Sequence, residues 1–149
     1  MLHVDVYAVG KLKERFWREA CAEYLKRLQA YAQVRVIEIP DSNMAAECAA
    51  LSAKLPSGPG VQTVLLDRVG KPVSSEGLAH LLDDAALAGT SRVAFVIGGS
   101  DGVDDAVRAC ADRAVSFGEI TLPHNLARVV LLEQVYRAFK IIRKEPYHK

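Results

Sequence analysis

The chain has 149 residues, of which half are hydrophobic, a quarter are charged and 7% are aromatic. This length and apolar content are typical of one domain with a buried core, which excludes an intrinsically disordered protein. No apolar run approaches the roughly 20 residues that span a bilayer, and the first residues lack the basic stretch and cleavage site of a secretory signal. We therefore expect a single soluble domain over residues 1–149, without membrane association.

The cysteines indicate the redox compartment. Cys21, Cys48 and Cys110 are odd in number and far apart in the sequence. Their spacing predicts neither a disulfide framework nor a zinc site, and no other metal site is expected. We expect three small buried side chains in a protein of the reducing cytoplasm.

The net charge of +1 conceals an uneven distribution. Lys and Arg outnumber Asp and Glu by seven to five in residues 1–38 and by five to one in residues 137–149, whereas residues 39–136 hold seven basic and twelve acidic residues. Basic side chains are also common at solvated helix ends, where they interact favourably with the helix dipole. Charge alone favours that interpretation over a nucleic-acid surface.

Strand and helix patterns alternate along the chain. The predicted elements, in order, are strand Leu2–Ala8, helix Glu14–Tyr31, strand Val34–Ile39, helix Met44–Leu55, strand Val61–Leu66, helix Ser74–Ala88, strand Arg92–Ile97, helix Val103–Ala114, strand Val115–Leu122 and helix Asn125–Arg143. Asp41 and Ser42 are candidate N-caps of the second helix. The alternation predicts an α/β layered fold with a mainly parallel sheet.

Apolar residues cover most of the circumference of the last predicted helix. Leu131, Leu132 and Val135 belong to one broad apolar arc, while Val130 and Ile141 lie outside it. A helix of this kind is buried on more than one side, and a small sheet covers only one. The pattern predicts a homodimer through this helix. A helix buried between the layers of a monomer is the alternative.

A glycine-rich segment, residues 97–102, follows a predicted strand. Glycines at the carboxyl end of a strand permit a tight turn and close approach to a ligand. The first glycine of a dinucleotide fingerprint falls on Ile97, however, and the P-loop lysine is missing. From these residues alone, a plain turn and a binding site are equally good interpretations.

Two further segments carry candidate chemistry. His124 follows Pro123 at the start of the last helix, where a histidine is more often a capping or packing residue. Tyr147, His148 and the basic residues near them have the side chains that stack on a base and contact phosphate. A frayed basic tail is the more common interpretation of such a segment.

Several short segments, taken together and in order, resemble one known family. They are Ala8-Val9-Gly10-Lys11, Glu23-Tyr24-Leu25-Lys26-Arg27, Ile37-Glu38-Ile39-Pro40, Leu66-Asp67 with Gly70-Lys71, Ile97-Gly98-Gly99 with Gly102, Thr121-Leu122-Pro123-His124, Tyr136-Arg137-Ala138 and Pro146-Tyr147-His148. The set resembles the ribosomal RNA large subunit methyltransferase H family over essentially the whole chain. Members of that family are SPOUT-class enzymes that methylate N3 of a pseudouridine in helix 69 of 23S rRNA.

The resemblance implies a SPOUT-type α/β fold with a C-terminal trefoil knot, an exception to the rule that chains are unknotted. It also implies S-adenosylmethionine as the cofactor and a homodimer that pairs through knot helices. The residues that match the family's cofactor contacts are Leu66, Gly98, Phe117, Gly118, Glu119, Ile120, Thr121 and Leu122. The glycine-rich segment would then be a cofactor turn rather than a phosphate cradle.

The resemblance also assigns candidate catalytic residues. Transfer of a methyl group to N3 of pseudouridine requires that a proton leave, and His124 or His148 could be the general base. Arg137 would stabilise the developing anion or hold a phosphate, and Tyr147 would stack on the flipped nucleotide. If the tail of one subunit reaches the cofactor pocket of the other, the active site is composite.

One segment departs from the family pattern. Relatives often carry a lysine-rich loop after the second strand, whereas Asp41-Ser42-Asn43-Met44 is slightly acidic here. We therefore expect poor binding to free RNA and an assembled 70S ribosome as the substrate. The alternatives are a SPOUT methyltransferase for another RNA and a non-catalytic ribosome-binding module; a nicotinamide-binding half-domain is disfavoured by the missing glycine.

Overall fold

The computed structural model describes all 149 residues and contains every predicted element in the predicted order. The elements are β1 (His3–Val9), α1 (Arg15–Leu28), β2 (Gln33–Ile39), α2 (Met44–Lys54), β3 (Val61–Pro72), α3 (Ser75–Leu87), β4 (Arg92–Ile97), α4 (Asp105–Cys110), β5 (Arg113–Ser116) and α5 (His124–Ile142). No helix combines the length and apolar character that crossing a membrane requires.

The five strands form one sheet in the order β2-β1-β4-β3-β5, and every neighbouring pair is parallel. This confirms the predicted α/β fold with a parallel sheet. The trefoil knot stays a prediction. Because all strands run in the same direction, their carboxyl ends lie along one edge of the sheet, where α/β proteins commonly bind ligands.

The core has two layers, one on each face of the sheet. On one face, α1, α3 and α5 pack against alternate residues of the central strands, including Val4, Val6 and Phe95. On the other face, α2 and α4 pack against the intervening residues, such as Ala94 and Val96. Coverage of both faces explains why β4 is continuously apolar in the sequence.

The prediction of a strand over Val115–Leu122 is wrong beyond Ser116. The Ser116 hydroxyl accepts a hydrogen bond from the Gly118 amide at 2.9 Å and donates one to the Gly118 carbonyl at 2.8 Å. Gly118 has a φ of +108°, in the left-handed region that favours glycine. This turn ends β5 and leaves residues 117–122 as a loop, although their apolar side chains resemble a strand.

The predicted helix Val103–Ala114 is also too long. It begins one residue after Asp104, whose carboxylate caps the Val107 amide at 3.0 Å. It ends at Cys110 because Asp112 and Thr63 exchange two hydrogen bonds, at 2.7 and 2.8 Å, which draw the chain onto β3. The start of β5 therefore lies within the segment predicted as helical.

Two smaller expectations need correction. Asn43, rather than Asp41 or Ser42, is the N-cap of α2, and its side chain accepts a hydrogen bond from the Ala46 amide at 2.8 Å. Cys21 and Cys48 are buried as predicted, but Cys110 is exposed at the end of the short α4.

Asp5 is a fully buried carboxylate in β1, which lies between β2 and β4 in the sheet. Arg35 on β2 donates two hydrogen bonds to it, at 2.8 and 3.1 Å, and Arg92 on β4 donates one at 2.7 Å. Burial by itself raises the pKa of Asp5, but the hydrogen bonds and charges of the two arginines outweigh burial and lower it. The carboxylate thus joins the three strands at the amino edge of the sheet.

We expect Asp5→Asn to lower the free energy of unfolding at pH 7 by about 2–3 kcal/mol, somewhat less than for a fully buried pair because both arginines reach solvent. The folded-state pKa of Asp5 lies below its ordinary value of 3.8, so its contribution is present above that pH and is lost as pH falls through the lowered pKa. Urea unfolding at several pH values measures the difference. The exposed Asp41→Asn variant is the control, and an equal loss in both variants would contradict the assignment.

Candidate active site

The cofactor-binding residues predicted from the resemblance meet at the carboxyl ends of three adjacent strands. Leu66 on β3 is paired with Ile97 on β4 and with Val115 on β5. Gly98 directly follows β4, and Phe117 directly follows β5. Residues that are about 50 positions apart in the sequence therefore occupy neighbouring places on one edge of the sheet.

The chain bulges out of β3 immediately after Leu66. Pairing with β5 resumes only at Lys71, so residues 67–70 protrude from the edge. A Cβ atom on Gly70 would lie 2.9 Å from the backbone of Ala114 and Val115, which leaves room only for glycine. From this bulge, Arg68 Nη1 donates a hydrogen bond to Thr121 Oγ1 at 3.3 Å. The bulge therefore contacts the loop that follows β5.

The glycine-rich segment forms a tight turn. The Gly102 amide donates to the Gly99 carbonyl at 3.0 Å. A Cβ atom on Gly98 would lie 2.8 Å from Val103 Cγ1, and one on Gly99 would lie 2.6 Å from Glu47 Oε1. Neither position tolerates a side chain without displacement of its neighbours. The turn is thus packed against α2, with its backbone at the carboxyl edge of the sheet.

Residues 117–122, which we call the edge loop, present an open backbone. The backbone groups of these residues form no hydrogen bond with other backbone groups, and only those of Gly118 bond to a side chain, the Ser116 hydroxyl. Ile120 is 76% exposed, while Phe117 and Leu122 are half-buried. Unpaired amides and carbonyls beside apolar side chains are suited to a small ligand that has both hydrogen-bonding and apolar parts.

His124, the first residue of α5, faces the end of β1. A Cβ atom on Gly10 would lie 3.2 Å from His124 Nε2, and Gly10 has a φ of +95°, so this position suits glycine alone. The imidazole forms no side-chain hydrogen bond within the chain; all those that involve histidine belong to His148. His124 therefore lies at the same edge as Gly98 with both ring nitrogens available.

Arg137, Tyr147 and His148 lie together near the far end of α5. Glu133 connects the first two, because its carboxylate accepts hydrogen bonds from Arg137 Nη2 at 3.0 Å and from the Tyr147 hydroxyl at 2.8 Å. The Arg137 guanidinium also lies over the Tyr147 ring, 4.7 Å from its centroid. Burial, followed by the hydrogen bond to Glu133, raises the pKa of Tyr147 to about 12. Tyr147 is consequently a neutral hydrogen-bond donor near pH 7.

Both ring nitrogens of His148 already have partners. Arg137 Nη1 lies 3.2 Å from Nδ1, and Glu76 Oε1 lies 2.6 Å from Nε2. Since arginine can only donate, Nδ1 is assigned as the acceptor and Nε2 as the donor to Glu76. The same hydrogen bond lowers the pKa of Glu76. In this arrangement His148 holds the tail against α3, and both of its ring nitrogens are engaged within the chain.

The structure does not bring His124 together with the tail residues of the same chain. Arg137 follows His124 by 13 positions on one continuous helix. At 1.5 Å per residue, the two positions are about 20 Å apart along the axis of α5. One nucleotide cannot contact both groups within a single chain.

A groove of about 290 Å³ lies between these two groups, where the start of α3 faces α5. Its lining is Val73, Ser74, Ser75, Leu78, Phe117, Val130 and Gln134. Val130 is one of the residues that the helical pattern placed outside the buried arc. The groove begins at the first residue of the edge loop, so an occupant of the groove would also adjoin the candidate cofactor site.

Sequence reasoning missed Glu133 and Glu76. Glu133 lies four positions before Arg137 on α5, a spacing at which helical side chains of opposite charge meet, so the pair was predictable. Glu76 is 72 positions from His148, and no local signal indicates that contact.

Comparison with known proteins decides the family. A family model described as "Predicted SPOUT methyltransferase" matches residues 2–148. The chain belongs to the SPOUT methyltransferase family. Proteins named "Ribosomal RNA large subunit methyltransferase H" from Listeria welshimeri and Carboxydothermus hydrogenoformans are each 45% identical to it over 161 aligned positions, covering 99% of this chain and 100% of the relative. The protein of that name from Bacillus pumilus is 42% identical, with the same coverage.

Membership of the SPOUT methyltransferase family confirms the resemblance seen in the sequence. The glycine turn, the β3 bulge and the edge loop of this SPOUT methyltransferase are contiguous. The family match extends through the tail, so the cluster around Glu133 is part of the matched region.

Proposed function

We propose that the protein is an S-adenosylmethionine-dependent methyltransferase of large-subunit ribosomal RNA, acting on N3 of a pseudouridine in helix 69 of 23S rRNA. The observation that carries the proposal is the edge loop, whose unpaired backbone lies beside Leu66 and Gly98 at one edge of the sheet. The printed names of the relatives support the choice of RNA. Such a function places the protein in the cytoplasm.

The residues at this edge fit the cofactor. Leu66, Gly98 and the edge loop would hold S-adenosylmethionine, with apolar contacts from Leu66, Phe117 and Leu122 and with hydrogen bonds from the loop backbone. When bound, the cofactor supplies an electrophilic methyl group on a sulfonium centre. The main task of the protein is then to position the nucleotide, because an in-line displacement needs aligned reactants more than covalent help.

His124 is the stronger candidate for the general base that removes the N3 proton. Its ring nitrogens have no partner in the chain, and it lies at the same edge as the glycine turn. His148, in contrast, has both nitrogens engaged by Arg137 and Glu76. A general base must lie within hydrogen-bonding distance of the proton that it removes. His124 meets this requirement if the target nucleotide binds at the edge loop.

Arg137 is suited to stabilise negative charge on the target base. Glu133 and Tyr147 fix its position through hydrogen bonds and the ring contact. A positioned guanidinium stabilises a developing oxyanion without the cost of reorganising solvent. The pseudouridine carbonyl oxygens beside N3 acquire that charge when the proton leaves.

We further propose a homodimer with composite active sites. The separation of about 20 Å along α5 prevents Arg137 and His124 of one chain from acting on one nucleotide. The groove beside Phe117 and Val130 offers a surface for α5 of a second copy. In such a dimer, the tail of one subunit would complete the edge loop of the other. The trefoil knot that the family resemblance implies belongs to the same proposal.

An assembled ribosome is the substrate that the surface favours. Residues 41–44 are exposed and include one acidic and no basic residue, so they provide no positive charge that would attract the phosphates of free RNA. The folded ribosome would supply contacts by shape rather than by charge alone.

A methyl-transfer assay with tritiated S-adenosylmethionine tests the proposal. The two substrates are deproteinised 23S rRNA and 70S ribosomes from cells that lack the protein, and mass spectrometry identifies the labelled nucleoside. We expect label on the ribosomes alone, as 3-methylpseudouridine. Label at another nucleoside, or on neither substrate despite measurable cofactor binding, would overturn the specific assignment.

A further inference from the structure

A second cavity lies on the same edge of the sheet, between α1, β2 and the first half of α5. Its volume is about 360 Å³. Its lining is Lys11, Leu12, Arg18, Cys21, Ala22, Leu25, Val36, Glu38 and Arg128. Lys11 and Leu12 directly follow β1 and Gly10, and Glu38 is near the end of β2. We call this the α1 cavity.

The α1 cavity has an excess of positive charge. Lys11, Arg18 and Arg128 line it, and Glu38 is its one carboxylate. Glu38 is already paired with Arg128 Nη1 at 2.7 Å. Lys11 forms no ion pair in the chain. Burial raises the pKa of the Cys21 thiol, so this side chain adds no negative charge.

Arg128, which lines the α1 cavity, has one hydrogen-bond donor without an acceptor. Its side chain is 3% exposed, and Nη2 donates to the Gly10 carbonyl at 2.9 Å. Its Nε, however, is buried without any acceptor. A buried donor without a partner is costly, particularly on a charged group. Because Arg128 lines the cavity, an anion bound there would lie beside this incompletely paired guanidinium.

Arg18 holds the loop that carries the free lysine. Its guanidinium donates to the Leu12 carbonyl at 3.1 Å and also to the Lys13 carbonyl. The backbone of the loop between β1 and α1 is therefore held in place, and this fixes where the Lys11 side chain leaves the chain beside the cavity.

We propose that the α1 cavity binds a backbone phosphate of the RNA substrate, an inference that rests on the proposed function. β1 pairs with β4 and β4 with β3, so the end of β1 is two strand spacings, about 10 Å, from Leu66. An RNA strand along this edge would place its target base at the edge loop and a neighbouring phosphate at Lys11. His124 would lie between the two.

Cosedimentation with 70S ribosomes over a range of salt concentrations tests the proposal without methyl transfer. For Lys11→Gln we expect weaker binding and a slope of log K against log salt that is smaller by about 0.7–0.9, the effect of one lost phosphate contact. Lys11→Arg should restore the slope. Lys54→Gln, which alters an exposed lysine at the far end of α2, is the matched control and should leave it unchanged.

Inorganic phosphate is the second probe, followed through the Arg128 Nε–H resonance by NMR. We expect phosphate to shift this resonance in the wild type and much less in Lys11→Gln. A shift without any change of the salt slope would identify a site for free anions and overturn the RNA assignment. An unchanged slope and no shift would overturn the site itself. A wild type that binds ribosomes through Lys11 but methylates none would instead overturn the proposed function alone.

Discussion

Replacement of His124 by alanine should lower the single-turnover rate of methyl transfer by about 10²–10⁴-fold, the usual contribution of a positioned general base. The ring forms no side-chain hydrogen bond in the chain, so the fold should tolerate its loss. The rate is measured on 70S ribosomes with saturating cofactor. Cofactor affinity, measured separately, should stay within about twofold, because the edge loop is unaltered.

His80→Ala is the matched control for this variant. His80 is exposed on α3 and forms no hydrogen bond through its side chain, so its removal should leave the rate unchanged. If His124→Ala retained more than about a tenth of the wild-type rate, the proton would have to leave by another route. His148→Ala would then be the next variant to examine.

Replacement of Arg137 by alanine should lower the same rate by about 10²–10³-fold, as for removal of one donor to a developing oxyanion. Arg137→Lys should recover little of this loss, since lysine keeps the charge but not the planar group that contacts both Glu133 and the Tyr147 ring. Circular dichroism and unfolding of each variant test whether the fold persists. A fully active Arg137→Lys would show that charge alone suffices.

Co-expression of His124→Ala and Arg137→Ala chains distinguishes a composite site from a site within one chain. Random pairing makes half of the dimers mixed, and each mixed dimer has one site with both residues intact, so activity should recover to about a quarter of the wild type. Sites built within one chain would show no recovery, because every chain lacks one of the two residues. The inactive single variants, mixed after purification without exchange of subunits, are the control.

The sequence predicts the alternation of strands and helices well, because buried residues recur with different spacings in the two kinds of element. β4 is a run of apolar residues covered on both faces, and α5 shows a broad apolar arc, so both were recognisable. The edge loop was not, because Ile120 and Leu122 have strand-like character. The hydrogen bonds between the Ser116 hydroxyl and the Gly118 backbone end the strand instead. The periodic pattern of apolar residues carries no information about such local hydrogen bonds.

Long-range polar partners explain the remaining misses. Asp5 reads as an ordinary residue of a strand, and its partners Arg35 and Arg92 lie 30 and 87 positions away. The link from His148 to Glu76 likewise depends on where the tail meets α3. Among the contacts of the candidate site, Arg137 with Glu133 could be paired from the sequence, because the two residues are one helical turn apart. The sequence therefore nominates the candidate site residues one by one, but it does not show that they fall into two separate groups.

The unbroken course of α5 limits how the length of this protein can vary. One inserted residue between His124 and Arg137 would turn everything after it by about 100° and move it by 1.5 Å, carrying the tail away from Glu76. Insertions in the loop between α2 and β3, residues 55–60, would change neither end of the helix. Length changes among functional variants should therefore fall in such loops, while the number of residues in α5 between His124 and Arg137 should stay constant.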